Sequence, residues 1–294
     1  DFVAATRAAQ KYLDTQPRGD LRAQALSSLA MSGALGGDWS AANTALNQLV
    51  EKHPGSPLVA QTMLSIARKA EDEELWALSI RLYQALVDPG KDSPYHASGL
   101  YGLAWCRLKN GEHTKAEPHF REFIAEYADH ELTPDAAFHL GTALVASGDL
   151  EAAAAAFTDG FQKHQPKRQA FLSGVEAART QFRLKNVPAG DKAYAAVSTA
   201  FADVAEHDGL LNEWASMLYE AKDYERADTV YRLLVEQHPE STYADNASYS
   251  LAESDLINGK VAAAQAEFVK LAANEKSDET VQEESLYRLV GIGV

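Results

Sequence analysis

Cysteine is nearly absent. Cys106 is the only one in 294 residues, so no disulfide can form within the chain and no cysteine cluster can hold a metal. It lies in the apolar stretch Leu103-Ala104-Trp105-Cys106 and reads as packing. Runs of Val, Ile and Thr that would mark strands are missing, while the Ala, Leu and Glu that helices prefer are abundant. No apolar stretch reaches 18 residues, so nothing reads as a membrane-spanning helix. Basic residues are the minority, 27 against 42 acidic, for a net charge of −15. Nucleic acid is excluded as a partner on that balance, because its binding depends on Lys and Arg neutralising phosphates. An anionic membrane surface is disfavoured for the same reason.

The signatures of chemistry are missing too. There is no G-x-S-x-G elbow and no phosphate-cradling Gly-rich loop after a strand. His113 and His119 are six apart, on opposed faces of a helix, and no His-x-x-x-His pair has a Glu nearby. The run Glu71-Asp72-Glu73-Glu74 reads as a solvated turn and not as an acid/base pair. We therefore expect neither catalysis nor a metal nor a cofactor.

What is present is a repeat. The turn Gly37-Asp38-Trp39 recurs as Gly111-Glu112-His113, Gly148-Asp149-Leu150 and Gly259-Lys260-Val261, at multiples of 37 residues. The remaining multiples fall at Glu74, Lys185 and Lys222. Seven residues before each turn position stand Ala30, Ala67, Ala104, Gly141, Ala178, Ala215 and Ala252, all small. Five after it stand Ala42, Ser79, Ala116, Ala153, Gly190, Ala227 and Ala264, again small. Nine after it stand Leu46, Tyr83, Phe120, Phe157, Tyr194, Tyr231 and Phe268, all large and mostly aromatic.

The physical sense is a stack of helix pairs. Each unit reads as helix A, a turn, then helix B. The small residues let two helices cross at close range, and the ring four residues further along B fills the space between pairs. A turn glycine supplies the positive φ that ends helix A. Ser56-Pro57, Ser93-Pro94 and Thr133-Pro134 read as N-cap hydroxyls followed by proline at the first helical position. Glu71–Glu74 either extends its helix or makes an acidic turn. Asn186-Val187-Pro188 reads as the fifth turn. A long helix is expected over Ala189–His207, with Gly209 opening a short sixth helix A.

These columns resemble the tetratricopeptide repeat family. Leu140-Gly141, Gly148-Asp149-Leu150, Ala153 and Phe157 carry the resemblance, as do Lys222-Asp223-Tyr224, Ala227, Tyr231 and Pro239. It implies an all-α fold, a right-handed α-α superhelix of about seven repeats with a half repeat at each end. The units are 1–17 (half), 20–54, 57–91, 94–128, 134–165, 167–208, 209–239, 242–276 and 277–294 (half), in one continuous solenoid. The period of 37 exceeds the family's usual 34. Units of this length with phrases like His238-Pro239-Glu240-Ser241 look like those of bacterial envelope proteins, the outer-membrane assembly lipoproteins and the Tol–Pal-associated coordinator. The half repeats lead us to expect a piece of a larger protein, with the periplasm or cell envelope favoured as its compartment.

In this family helix A lines a concave groove, which implies protein or peptide binding. Groove positions by this count include Ser98, Tyr101, Trp105, Leu108 and Lys109 in the third unit, and Phe138, Thr142 and Val145 in the fourth. Val175, Arg179, Phe182 and Arg183 follow in the fifth, then Asn212, Ser216, Tyr219, Asn246, Tyr249 and Glu253. Aromatics and Arg are what binding hot spots favour. The same aromatics could instead pack on neighbouring A helices, and the arginines could pair with acids of adjacent units. A second reading makes the chain a spacer or assembly module that uses its convex face or ends.

Overall fold

The computed structural model describes residues 2–274 and 277–293. Among them are sixteen α-helices and no strand. The chain divides into two compact units, Asp1–Ala153 and Ala154–Val294.

The first unit holds α1 (Phe2–Asp14), α2 (Gly19–Leu35), α3 (Trp39–Lys52), α4 (Leu58–Asp72), α5 (Trp76–Val87), α6 (His96–Lys109), α7 (His113–Glu126) and α8 (Thr133–Ser147). Even-numbered helices are the A members and odd-numbered ones the B members. Each helix packs on the next in sequence, and α2 also packs on α4, α4 on α6 and α6 on α8. The A helices thus form a layer of their own. The unit boundary falls within α9 (Leu150–His164). The second unit continues with α10 (Arg168–Arg183), α11 (Val187–Ala200), α12 (His207–Glu220), α13 (Tyr224–Gln237), α14 (Ala244–Ile257), α15 (Val261–Ala272) and α16 (Glu279–Ile292). From α10 to α16 each helix again packs on its successor.

One backbone feature repeats at all seven turn positions. Gly37, Glu74, Gly111, Gly148, Lys185, Lys222 and Gly259 all take positive φ, between 57° and 87°. In each case the next residue's N–H reaches back to the carbonyl four residues before the turn position. Asp38 N donates to Gly33 O at 2.8 Å, Leu75 N to Ala70 O at 2.8 Å and Asn186 N to Gln181 O at 2.9 Å. This six-to-one bond satisfies a carbonyl that the helix end would otherwise leave open. The acidic run therefore forms the turn: α4 stops at Asp72 and Glu74 takes the left-handed conformation. Three turns make that conformation without glycine, at about 1–2 kcal/mol each. The spacing of 37 is obeyed even where its sequence marker is lost.

The three side-chain columns are buried at every one of their positions. Gly190 shows why the B column must be small, since a Cβ there would stand 2.5 Å from the Phe182 ring. Cys106 is fully buried, and burial pushes its thiol up to about 12, so it is inert at neutral pH.

Two expectations are corrected. The long helix over Ala189–His207 does not form: α11 ends at Ala200 and α12 begins at His207. The break has a packing cause. Phe201 is buried, its ring 5.4 Å from that of Phe171 and 6.4 Å from that of Phe161. A continued helix would give up this seat. Accordingly the sixth helix A opens two residues before Gly209 and runs a full 14 residues. The Ser/Thr-Pro caps are also different from those expected. Ser56 Oγ accepts from Leu58 N at 3.4 Å and Ser93 Oγ from Tyr95 N at 3.3 Å, so they brace the turn that leads into the helix. The Thr133 hydroxyl donates to Tyr127 O at 2.5 Å, tying the start of α8 to the end of α7. Side-chain caps come instead from aspartates, at helix B starts and at Asp278 before α16. Asp38 accepts from Ala41 N at 2.9 Å and Asp149 from Ala152 N at 3.0 Å.

Candidate partner-binding faces

In the first unit the A-layer residues converge around one indole. Trp105 lies with its ring 4.5 Å from the His139 ring, and Lys109 Nζ sits 5.2 Å from the indole centre. Burial pushes His139 down to about 4, so the imidazole is neutral at pH 7 and packs as an uncharged ring. Phe138 is partly buried beside it, rings 5.6 Å apart. Beneath Trp105 lies Glu71. The Tyr83 hydroxyl donates to Glu71 Oε2 at 2.7 Å. Burial, the largest influence, holds Glu71 above the usual carboxylate range.

Other expected residues of this face are engaged differently. Tyr101 presents its ring edge-on to Phe120 at 6.2 Å and Phe123 at 5.4 Å. Burial raises its phenol; it is mostly a packing residue. The Thr142 hydroxyl donates to Phe138 O at 3.1 Å, folded back on its own helix. Lys109 is exposed, while Trp105 and Phe138 are partly so.

In the second unit Arg179 closes a network. Its Nε and Nη2 donate to the two oxygens of Glu213, at 2.5 and 2.6 Å, and its Nη1 to Glu176 at 2.6 Å. The Tyr194 hydroxyl adds a bond to Glu213 Oε1 at 2.6 Å. Of the two fates open for Arg179, pairing with acids of its surroundings is the one realised. Arg183, one turn on, is exposed and lines a shallow recess of about 480 Å³ with Phe182, Val187 and Met217. Tyr219 is exposed and meets Tyr224 edge-on, rings 5.0 Å apart. Asn212 is partly buried, its carbonyl accepting from Ser216 Oγ at 2.8 Å. Asn246 is exposed and its carbonyl accepts from Ser250 Oγ at 3.0 Å. The Tyr249 ring lies 5.5 Å from Phe268, and its hydroxyl accepts from Arg288 Nε at 3.4 Å.

At three of the turns the residue six before it reaches sideways to the next A helix: Trp105 to His139, Arg179 to Glu213, and Glu253 to Arg288 at 2.6 Å, whereas Thr142 and Ser216 at the same position bond back to their own helices. Spacing from the turn puts Trp105, Arg179 and Glu253 in the groove but does not mark His139, Glu213 and Arg288 as their partners. A search for complementary charges about 34 residues apart would have found the two ion pairs.

Paired helices stacked by fixed columns define a repeat scaffold, a class that is typically non-enzymatic and generally mediates protein–protein contacts. Two tetratricopeptide repeat models match this chain, one at residues 64–131 and 101–167, the other at 23–56 and 213–241. Together they cover more than half of it, and the chain belongs to the tetratricopeptide repeat family. It is similar in fold to the C-terminal part of a repeat-containing protein from Cytophaga hutchinsonii, at 14% identity and TM-score 0.57, over 84% of this chain and 94% of that one. It is also similar to RapI in its apo form, at 10% identity and TM-score 0.55, over 99% and 91% of the two chains. A tetratricopeptide repeat protein from Parabacteroides merdae matches at 15% identity and TM-score 0.49, over 92% of this chain and 99% of that one. No curated protein matches the sequence.

Proposed function

We propose that the chain holds a protein partner as an extended peptide segment laid along its A-helix layer, with the Trp105 cluster as an anchor point. The single observation that carries this is the packing of the partly exposed Trp105 between His139 and Lys109. A ring fixed in that way contributes contact area without losing side-chain freedom on binding. Trp is also the residue most often found at binding hot spots. The chemistry suits an apolar side chain set against the indole with a carboxylate near Lys109. Arg183, Tyr219 and Asn246 are the exposed members of the corresponding layer in the second unit.

The test is a peptide-library selection on the whole chain. Peptides that bind the unaltered protein should lose at least about tenfold in affinity, or about 1.4 kcal/mol, on Trp105→Ala. Helicity should be unchanged. Equal binding by the Trp105→Ala protein would overturn the assignment.

A second reading, the assembly module, is favoured by α16, where Leu286, Tyr287 and Val290 are exposed. Contacts would then run through that helix, and Tyr287→Asp, not Trp105→Ala, would abolish association. For the compartment we propose the bacterial envelope, on the 37-residue unit and the His238-Pro239-Glu240-Ser241 phrase. Fractionation of the native protein with cytoplasm would refute it.

A further inference from the structure

His96, Glu122 and Glu126 bring one potential ligand atom each within 4.8 Å of one another. His96 opens α6 and is buried, and the two glutamates stand one turn apart in the C-terminal part of α7. We propose that these three side chains form a divalent transition-metal site, with Zn²⁺ the best-matched ion, that clips the start of α6 to the end of α7.

Four observations point the same way. The His96 Nδ1 lies 2.7 Å from the Tyr127 hydroxyl. That partner fixes the ring, and coordination through Nε2 would give the arrangement metal-binding histidines commonly show. Second, Glu126 Oε2 is buried with no hydrogen-bond partner. An orphaned carboxylate oxygen is costly to bury unless a cation or donor meets it. Third, the last turn of α7 has no basic residue, and two carboxylates near a helix C-terminus oppose the helix dipole. A cation removes that conflict. Fourth, a cation is already drawn there: the exposed Lys91 ammonium is paired with Glu126 Oε1. One ammonium offsets only one of the two carboxylate charges. It can swing into solvent when a metal ion takes its place.

One borderline imidazole and two harder carboxylates make a mixed nitrogen–oxygen set that Zn²⁺ accepts, and they leave a fourth position for water. Spacing along the chain does not reveal the site, because His96 is 26 residues from Glu122 and only the antiparallel pairing of α6 and α7 unites them.

The experiment is titration of the chelator-treated 294-residue chain with Zn²⁺ by calorimetry, with metal content measured by mass spectrometry. We expect one ion per chain at this site, and a Zn²⁺-dependent rise in thermal midpoint. Glu122→Gln and Glu126→Gln, both close in size to the parent side chain, should each weaken binding about tenfold or more. Lys91→Met should tighten it by removing the competing ammonium. Absence of Zn²⁺ binding overturns the proposal, as does binding that both glutamine variants retain at full strength. Weakening by Lys91→Met would also overturn it.

Discussion

Trp105 packs its ring at a tilt against His139, 34 residues further along the chain, at a ring separation of 4.5 Å. The contact joins α6 to α8 and makes the packing of one A helix on the next depend on an uncharged imidazole. Burial has pushed His139 down to about 4, from an ordinary 6.5. The folded pKa is depressed, so the unfolded chain binds the proton more readily. The stability contributed by His139 is full above about pH 6.5 and is lost as pH falls towards 4, amounting to up to about 3 kcal/mol. Thermal midpoints measured from pH 7.5 to 4 should fall in that window. His139→Gln should flatten the slope; an unchanged slope would show that this imidazole does not govern it.

Two tyrosine–glutamate pairs look alike and should behave in opposite ways. Tyr83 donates to Glu71 and Tyr194 donates to Glu213. Burial opposes the charged form of both glutamates. At Glu213 burial, the largest single influence, is outweighed by the Arg179 contact and the Tyr194 hydroxyl acting together, which hold the carboxyl below its usual range, while at Glu71 burial prevails. Glu213→Gln should destabilise by about 1–3 kcal/mol, because it leaves Arg179 with less than its full complement. Glu71→Gln should cost less than that at pH 7, because the amide oxygen can still accept from Tyr83 and no cation loses its partner. Chemical denaturation of the two variants side by side decides this, and equal losses would contradict it.

The turns carry a third expectation. Lys185 and Lys222 hold φ of 60° and 63° without being glycine. Lys185→Gly and Lys222→Gly should each stabilise by about 0.5–1 kcal/mol, since the left-handed cost is removed at the end of a helix. A loss of stability would mean that the lysine side chains make contributions beyond the backbone.

The columns give a fourth. Phe120 and Ala116 are fully buried on α7. Phe120→Ala should cost about 3–5 kcal/mol, and Ala116→Leu about 1–3 kcal/mol by overpacking. Urea midpoints that do not move for Ala116→Leu would place the column on the wrong face.

Much of the fold was legible because spacing encodes it. Small residues and rings recur every 37 residues, and close packing of helix pairs permits little else there. The turn conformation at Glu74, Lys185 and Lys222 was legible only through position, since those residue types favour no positive φ. The break at Phe201 was missed because the local sequence is a good helix former, and the reason for stopping is a ring seated among other rings. The binding face was partly legible. Counting placed Trp105, Lys109 and Arg183 on the A layer. It could not say that Arg179 would be taken up by Glu213 or that Tyr101 would turn into the core, because those outcomes depend on the neighbour one repeat away.

The most direct measurement of the binding proposal is site-specific photocrosslinking to a selected peptide. A photoreactive amino acid is introduced in place of Lys109 on the A layer and, separately, in place of Arg121, an exposed residue of the B helix α7. An adduct from position 109 and none from position 121 is the expected result. An adduct from position 121 with none from 109 would contradict the assignment of binding to the A-helix layer.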